Sequence, residues 1–589
     1  MKSLSIFLTL ITTLISIILA SLGLVTFYKV TIEKIYINWI YYFLTANILI
    51  WFFALIRTSK KNFIDSISSY WKNHKLALAL AFILVVFGTI VSKPDFRILA
   101  DETNLLSVSQ ALYEAKECKN YTSVCYYYYG FKDIIRYELD KRPALFPLVV
   151  SFVHSFTGYR PENIFVTNII AAFFTLLFIY HLFDYKFGKF WGICSMLLLA
   201  SYPLFVLYYT SGGFEVFNLL FSLIFFWLLL SFIKEPTAAN TEVLFLFLPL
   251  ISQTRYESIT AAVCVLPAIF MKLPLSEYNK FGYKLVITPL FFIPVVWLRL
   301  LTDNARGFQA EDKEAAFSFK LFADNLEKAF SFFLGKDLAY GIMPIITCVS
   351  IMGFVWVIID FVLDCMKSNK TSESKEKSLI SDLMWNKFVF IIVASLFYFL
   401  HAVIRFAFWG GDFTLRSSSR LAIIFLPIFV YFTIVFCYEL CSKLKVRRAY
   451  CLISIITLFF IYYPVAGQNL GIRDLTLYRE FRAEREYLSE NLPNKKDYIL
   501  ITNRENMYVP LKYNAISFDF FRRNIRKVKG FLDNRTYSYI IVAQLVDKKT
   551  NKAMDFCSVP DSLKMTVLYE TQIRADQYLR ISKCDSLED

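Results

Sequence analysis

Long apolar segments alternate with short charged ones along most of the chain. Thirteen segments are apolar enough to be predicted as transmembrane helices or half-spans. They lie at about 4–27, 36–56, 76–92, 162–183, 190–209, 214–233, 243–254, 257–271, 285–300, 340–363, 388–404, 421–440 and 450–467. Residues 468–589 are charged and of mixed polarity. The pattern therefore predicts a mainly α-helical, polytopic membrane bundle followed by a soluble C-terminal domain.

Composition agrees with the membrane class. Of the 589 residues, 57% are hydrophobic and 19% are charged, with a mean hydropathy of +0.49. An average soluble domain carries about 25% charged residues. The net charge of +15 does not indicate nucleic-acid binding, because Lys and Arg lie largely in short loops between apolar segments. In such loops they set the orientation of a membrane protein.

The basic loops predict the orientation. Loops 57–75, 186–189, 367–377 and 443–448 are rich in Lys and Arg and fall on one side, which we expect to be cytoplasmic. The N-terminus would then be cytoplasmic and the C-terminal domain extracytoplasmic, in a bacterial inner membrane. The first apolar run resembles a signal peptide. It is long for one and lacks a clear cleavage site, so we expect an uncleaved helix.

Two segments leave the topology open. Residues 243–271 could form one long helix, which would reverse the orientation of everything after it. Arg255 and Glu257 would then face lipid at about 2.5–3.5 kcal/mol each, so two half-spans with a polar tip are preferred. Residues 143–158 are apolar but short. We expect them to lie along the outer interface, since a crossing there would put Glu215 opposite Asp101.

An acidic pair follows the third segment. Asp101 and Glu102 precede a helical pattern that runs to Ala115, so both carboxylates are expected at a helix start, where anions are favoured. For such a pair alone, helix capping is the simpler interpretation. A third acid, Glu215, is expected at the outer end of a later apolar helix, and this makes a functional acidic site more plausible.

Four stretches of the chain form a recognisable series: Asp101-Glu102-Thr103, Lys141-Arg142-Pro143, Gly213-Phe214-Glu215-Val216-Phe217 and Ser417-Ser418-Ser419-Arg420. In their order and spacing they resemble the GT-C superfamily of glycosyltransferases, nearest to the aminoarabinose–lipid A transferases and the protein O-mannosyltransferases. The resemblance covers about residues 76–440. It departs from the family in two extra N-terminal segments, in a Glu where an Asp is usual, and in an interrupted Lys-Pro pair.

The resemblance implies a fold, a donor and a division of the chain. Residues 1–75 would be two extra spans, 76–467 a GT-C-like catalytic core, and 468–589 an extracytoplasmic α/β domain. The donor would be a sugar on a polyprenyl phosphate. Asp101 would take a proton from the acceptor hydroxyl, with Glu102 orienting it and Glu215 completing the acidic cluster. A divalent cation could bind at Asp101 and Glu215, because clustered oxygens suit hard cations.

The leaving phosphate would need fixed positive charge, which Arg supplies well. Arg255 is the most specific candidate because it lies at the tip of a broken apolar stretch, although an ion pair with Glu257 would explain it equally well. Arg405 and Arg416 are expected more often in a solvated loop than in a site. The residues predicted to contact substrate are Lys141, Arg142, Arg255, Glu257, Arg405, Arg416 and Arg420.

The C-terminal domain is predicted to contain helices at 475–492 and 518–532. Strands are predicted at 498–502, 537–542, 566–569 and 578–581. It has no phosphate-binding loop or nucleophile motif, so accessory packing or acceptor binding is expected. The outer segments hold two cysteine pairs, Cys118 with Cys125 and Cys557 with Cys584. Disulfides and free thiols are equally compatible with the sequence.

The expected partners are a polyprenyl-phosphate sugar, membrane lipids and a lipid, glycan or protein acceptor. A transporter or flippase would also carry intramembrane charges, but such proteins often show two related halves, and no internal repeat is visible. A polymerase that acts on lipid-linked glycans is hardly separable from a monosaccharide transferase by sequence. A transferase is therefore the preferred prediction, and neither the sugar nor the acceptor is identified.

Overall fold

The computed structural model describes residues 2–58, 69–128, 131–278, 280, 283–302, 317–335, 343–368, 374–467, 476–560 and 563–584. They form two compact units. The first consists of Met1–Asp95, Lys141–Phe146 and Phe165–Leu470. The second consists of Phe96–Asp140, Pro147–Ile164 and Gly471–Asp589. Thus the second unit includes not only the C-terminal region but also two segments that the sequence analysis assigned to the membrane core.

The first unit is built from apolar helices. In chain order, the helices that lie mainly in it are α1 (Lys2–Ser21), α2 (Thr26–Thr58), α3 (Lys75–Val91), α6 (Asn163–Phe187), α7 (Lys189–Ser201), α8 (Pro203–Tyr209), α9 (Glu215–Lys234), α10 (Ala238–Ser252), α11 (Thr260–Lys272), α12 (Leu275–Tyr278), α13 (Tyr283–Ile287), α14 (Ile293–Leu301), α15 (Phe319–Leu334), α16 (Pro344–Ser368), α17 (Ser374–Ala407), α18 (Arg416–Ser419), α19 (Leu426–Lys443) and α20 (Arg448–Gly467). Helices α4 and α5, numbered between α3 and α6, are Leu99–Glu114 and Leu145–Thr157.

Six helical stretches in the described part of the chain are long and apolar enough to cross a membrane, or seven if one bent pair counts as a span. They are Phe27–Thr58, Asn163–Phe187, Glu215–Lys234, Val389–Ala407, Ser417–Lys443 and Arg448–Val465. The chain is thus a multi-pass helical membrane protein. The total of thirteen segments stays a prediction, because several of the other apolar helices are only 10–17 residues long.

Two predicted boundaries differ from the structure. The helix expected at 4–27 ends at Ser21, and the helix expected at 36–56 already begins at Thr26. The segment expected at 190–209 is two helices bent by 74°. Pro203 causes this break, since it has no amide hydrogen and pushes the preceding Tyr202 into an extended conformation.

The predicted break within 243–271 is present. Helix α10 ends at Ser252, a short 3-10 helix covers Tyr256–Ile259, and α11 begins at Thr260. Gln253 and Thr254 between them are buried. The break therefore brings backbone and polar side chains into the interior of the first unit, where neighbouring residues can supply hydrogen bonds.

The second unit is organised around a seven-stranded mixed sheet. Its strands are β1 (Asn120–Tyr128), β2 (Phe131–Glu138), β3 (Tyr498–Ile501), β4 (Ala515–Ile516), β5 (Tyr539–Asp547), β6 (Thr566–Gln572) and β7 (Gln577–Cys584). Their spatial order is β2-β1-β4-β3-β5-β7-β6. Only β4–β3 and β3–β5 are parallel pairs. The remaining helices are α21 (Thr476–Asn491), α22 (Glu505–Tyr508), α23 (Phe518–Arg523) and α24 (Ile525–Asp533).

The four predicted C-terminal strands and both helical regions lie where the sequence placed them, although helix 518–532 is divided at Asn524 and the short strand β4 was not predicted. The β1–β2 hairpin is the main addition, since no strand was predicted before residue 498. Tyr126 of β1 is fully buried in the core beside Ile499 and Val542 of the C-terminal strands. This hairpin thus completes the hydrophobic core of the second unit.

Candidate functional site

The first component of the site is Glu215, the first residue of α9. Its side chain is 2% exposed. The Asn168 side-chain amide holds the turn before it by donating to the carbonyls of Ser211 (2.7 Å) and Gly213 (2.5 Å). A Cβ on Gly213 would lie 2.1 Å from Glu215 Oε2. Glycine therefore leaves the space that the carboxylate occupies.

Two arginines converge on Glu215. Arg255 Nη1 lies 3.1 Å and Arg420 Nη1 3.3 Å from the same atom, Glu215 Oε1. Arg255 comes from the break between α10 and α11, and Arg420 begins the 3-10 turn that precedes α19. Both were predicted as contact residues, and the structure brings them to the acid predicted at the start of α9.

A second carboxylate extends the cluster. Glu257 Oε1 accepts from Arg405 Nη1 at 2.8 Å, and Glu257 Oε2 lies 3.4 Å from Arg255 Nε. The ion pair between Arg255 and Glu257 is thus present, as one of the two interpretations of Arg255 required. The expectation that Arg405 lies in a solvated loop is wrong, because Arg405 belongs to the last turn of α17 and is 4% exposed.

These five side chains form the ionic cluster: Glu215, Arg255, Glu257, Arg405 and Arg420. Three arginines and two carboxylates leave a formal charge of +1. A small pocket that is partly open to solvent is lined by four of them and by Asn218. Among the described residues, Arg405 Nε and Glu215 Oε2 are buried and have no hydrogen-bond partner. Excess positive charge and an unused buried donor suit an anion such as a phosphate.

Asn218 ties the cluster to the helix break. Its Oδ1 accepts from the hydroxyls of Thr254 (2.6 Å) and Ser258 (2.7 Å). The sequence analysis missed this residue. Its signal was an amide within an otherwise apolar helix, since intramembrane polar residues are functional candidates.

Asn325 was missed in the same way and supports Arg405 from the other side. It is 2% exposed on α15. Its amide donates to the carbonyls of Phe406 (2.9 Å) and Phe408 (3.0 Å), while Ser318 N–H donates to Ala407 O at 3.0 Å. These bonds satisfy the carbonyls that the end of α17 leaves open. Helix α15 therefore fixes the helix end from which Arg405 reaches the cluster.

The predicted acidic pair lies in the second unit. Glu102 is fully buried, and its two carboxylate oxygens accept from the backbone N–H groups of Arg97 (2.9 Å) and Ile98 (3.1 Å). This is a helix-capping arrangement. It gives Glu102 a structural role at the start of α4, and its role in orienting Asp101 stays a prediction. Asp101, in the first turn of α4, is partly buried, and its catalytic role stays a prediction.

The remaining basic residues predicted to contact substrate are Lys141, Arg142 and Arg416, and they are less well defined. Lys141 and Arg142 are half-buried in the first unit, and the Lys141 carbonyl accepts from the Tyr256 hydroxyl at 2.5 Å. This bond joins the Lys141 backbone to the helix break. The Arg416 side chain lies outside the described residues.

The predicted cation has little support from its surroundings. Within the described ranges, no group of three or more His, Cys, Asp or Glu side chains converges in a way that could hold a metal ion. Glu215 faces guanidinium groups, which would repel a cation. The residues present therefore do not fit a divalent cation at Glu215, and no chemical step is assigned to one.

The predicted cysteine pairs are not disulfides in the structure. Cys118, Cys557 and Cys584 are buried and form no disulfide, and the Cys125 side chain lies outside the described residues. Burial raises the pKa of Cys557. Cys557 and Cys584 both contribute to the hydrophobic core of the sheet, so they act there as small apolar side chains.

The fold and the cluster define a multi-pass helical membrane protein with a buried, positively charged site. No family model and no curated protein matches the sequence. Among solved structures, the chain is similar to ArnT from Cupriavidus metallidurans bound to undecaprenyl phosphate, with 11% identity and a TM-score of 0.43 over 87% of this chain and 98% of that one. The apo state of ArnT gives 12% identity, the same TM-score and the same coverage.

A third similar structure is the arabinosyltransferase EmbB from Mycobacterium smegmatis. It has 11% identity and a TM-score of 0.35, over 73% of this chain and 44% of EmbB.

Proposed function

We propose that this protein is a GT-C-type membrane glycosyltransferase that transfers a sugar from a polyprenyl-phosphate donor to an acceptor on the extracytoplasmic face. The observation that carries the proposal is the ionic cluster, with its formal charge of +1 and a cavity beside it. The motif resemblance supplies the donor class. The basic loops support the proposed orientation, with the N-terminus in the cytoplasm.

In this proposal the cluster binds the phosphate of the donor. When the sugar–phosphate bond breaks, negative charge grows on the phosphate oxygens, and fixed positive charge nearby stabilises it. Glu215 and Glu257 hold Arg255, Arg405 and Arg420 in position before the lipid arrives, so little reorganisation is needed. Arg405 Nε is the buried donor that a phosphate oxygen would use.

The acceptor needs a base, and we propose Asp101 for that role. A carboxylate that accepts a proton from a hydroxyl makes the oxygen a better nucleophile. Asp101→Asn keeps the size of the side chain and removes the base, so it should lower the rate of transfer by about 10²–10⁴-fold. Binding of the donor lipid should change little.

The direct test is binding of undecaprenyl phosphate to the purified full-length protein. Arg405→Gln removes one charge-assisted contact, which is typically equivalent to about 1.5–3 kcal/mol. The dissociation constant should therefore rise about 10- to 100-fold. Arg447→Gln is the matched control, because Arg447 is exposed in the loop between α19 and α20 and should bind like the wild type.

A loss of lipid binding has to be distinguished from a loss of folded protein. Both variants should be compared at equal folded fraction, measured by gel filtration in detergent. Equal affinity of Arg405→Gln and the wild type would remove the cluster from the donor site. If undecaprenyl phosphate binds normally but no polyprenyl-phosphate sugar is consumed by the wild type, the cluster would be a lipid-phosphate site and the transferase assignment would fail.

A further inference from the structure

A cluster of four cysteines lies away from the ionic cluster, where three helices of the first unit meet. Cys194 is on α7, Cys437 and Cys441 are on α19, and Cys451 is on α20. All four are free thiols. Cys437 and Cys441 are four residues apart and share one face of α19. The proposed function uses none of them.

Cys451 is the centre of the group. Its sulfur lies 3.6 Å from the Cys441 sulfur, and the Cys437 thiol is close enough to interact with it. Cys194 is close enough to interact electrostatically with Cys441 and Cys451. A disulfide needs a sulfur–sulfur distance of about 2.05 Å, so the Cys441–Cys451 pair has to close by about 1.5 Å. Rotation of the two side chains can provide a movement of that size.

Cys441 is placed where a water-soluble reagent can reach it, whereas Cys451 is buried. Cys441 is half-exposed in the last turn of α19, and Cys451 is in the first turn of α20. Residues 444 and 450 beside them are 62% and 59% exposed. Because the thiolate is the reactive form of a thiol, exchange should become faster as the pH rises.

We propose that Cys441 and Cys451 are a reversible dithiol–disulfide pair that is oxidised by small-molecule disulfides. The Cys441 thiolate attacks one sulfur of the reagent and forms a mixed disulfide, releasing one thiolate. The Cys451 thiolate then attacks the Cys441 sulfur and releases the second. Two protein thiols lose two electrons, the reagent becomes two thiols, and the two protons pass to these products.

The test uses the purified full-length protein, which has eleven cysteines, and 4,4′-dithiodipyridine as the reagent. Remaining thiols are then labelled with a maleimide under denaturing conditions, and the peptides are identified by mass spectrometry. The wild type should give a peptide that links Cys441 to Cys451, whereas the exposed Cys348 should carry only a mixed disulfide. Dithiothreitol should restore the labels on Cys441 and Cys451.

Matched variants define the pair. Cys441→Ser and Cys451→Ser should each abolish the linked peptide. Cys194→Ser, within the cluster, and Cys348→Ser, at an exposed position, should keep it. Each variant is checked for the elution volume of the wild type, so that loss of the link is not loss of fold. A link from Cys451 to Cys437, only mixed disulfides, or bound zinc that protects the thiols would each overturn the proposal.

Discussion

The ionic cluster contains an ion pair whose energetic coupling can be measured. Arg405 Nη1 and Glu257 Oε1 are 2.8 Å apart, with side chains that are 5% and 16% exposed. Two unit charges at this distance attract each other by about 6 kcal/mol at an effective dielectric constant of 20. Desolvation offsets part of this, but removal of one partner leaves the other charge buried, which typically costs about 3–5 kcal/mol.

We therefore expect Arg405→Gln and Glu257→Gln each to lower the free energy of unfolding by about 3 kcal/mol. The lower end of the range applies because Arg255 remains beside Glu257. The double variant should lose clearly less than the sum, with a coupling energy of about 2–3 kcal/mol. Unfolding by sodium dodecyl sulfate in mixed micelles, followed by circular dichroism, gives all four free energies.

A second ion pair provides the control. Lys443 Nζ and Asp360 Oδ1 are also 2.8 Å apart, but their side chains are 49% and 35% exposed. The same double-variant cycle there should give about 0.2–1 kcal/mol, because water screens exposed pairs. Equal coupling in the two cycles, or additive effects of Arg405→Gln and Glu257→Gln, would refute the view that burial makes this pair strong.

Three further predictions concern other parts of the chain. Asn325→Leu removes the donors to the carbonyls of Phe406 and Phe408. It should lower the free energy of unfolding by about 2 kcal/mol and weaken binding of undecaprenyl phosphate. Lys320→Leu, on the exposed face of the same helix, should have neither effect. Gly411→Ala would put a Cβ 2.0 Å from the backbone oxygen of Arg405, so it should reduce lipid affinity about as much as Arg405→Gln does; wild-type affinity would mean that the turn adjusts freely. In the second unit, burial raises the pKa of Glu484 to about 7, and the charge of Arg504 partly opposes this rise. The protonated side chain therefore contributes stability that is complete below about pH 4.5 and is lost as the pH rises through 7. The loss in the free energy of unfolding should be about 3 kcal/mol. Thermal unfolding of the full chain at pH 5 and pH 7.5 should show this loss, and it should be smaller in Glu484→Gln; the same pH dependence in both would assign it to other groups, such as Glu505.

The helix break at Ser252 could be predicted because an electrostatic cost pointed to it. Arg255 and Glu257 are too expensive to face lipid within one continuous helix. The Tyr202-Pro203 bend had an equally local cause and was missed, although a proline after a helical run predicts a boundary. The capping role of Glu102 was also open to prediction, since an acid in the first turn of a helix commonly accepts backbone N–H groups.

Other features depend on partners far away in the sequence. Burial of Arg405 is set by Glu257, which lies 148 residues earlier, and no local pattern links them. The tyrosine-rich stretch of β1 has strand propensity, but one of its two neighbours in the sheet, β4, comes from the C-terminal region. Local periodicity could therefore identify the elements of the second unit after residue 476. It could not show that the β1–β2 hairpin, from an early part of the chain, belongs to the same sheet.

The position of β1 in the sheet has a consequence for biosynthesis. Cys125 of β1 pairs with Ala515 of β4, so 390 residues must be added between the two partners. At about 5–20 residues per second, the hairpin waits roughly 20–80 s for its neighbour. During that time β1 exposes an open strand edge, a place where chains can associate wrongly. Rapid synthesis, or a chaperone that covers this edge, should therefore increase the yield of folded protein more than changes within the C-terminal strands.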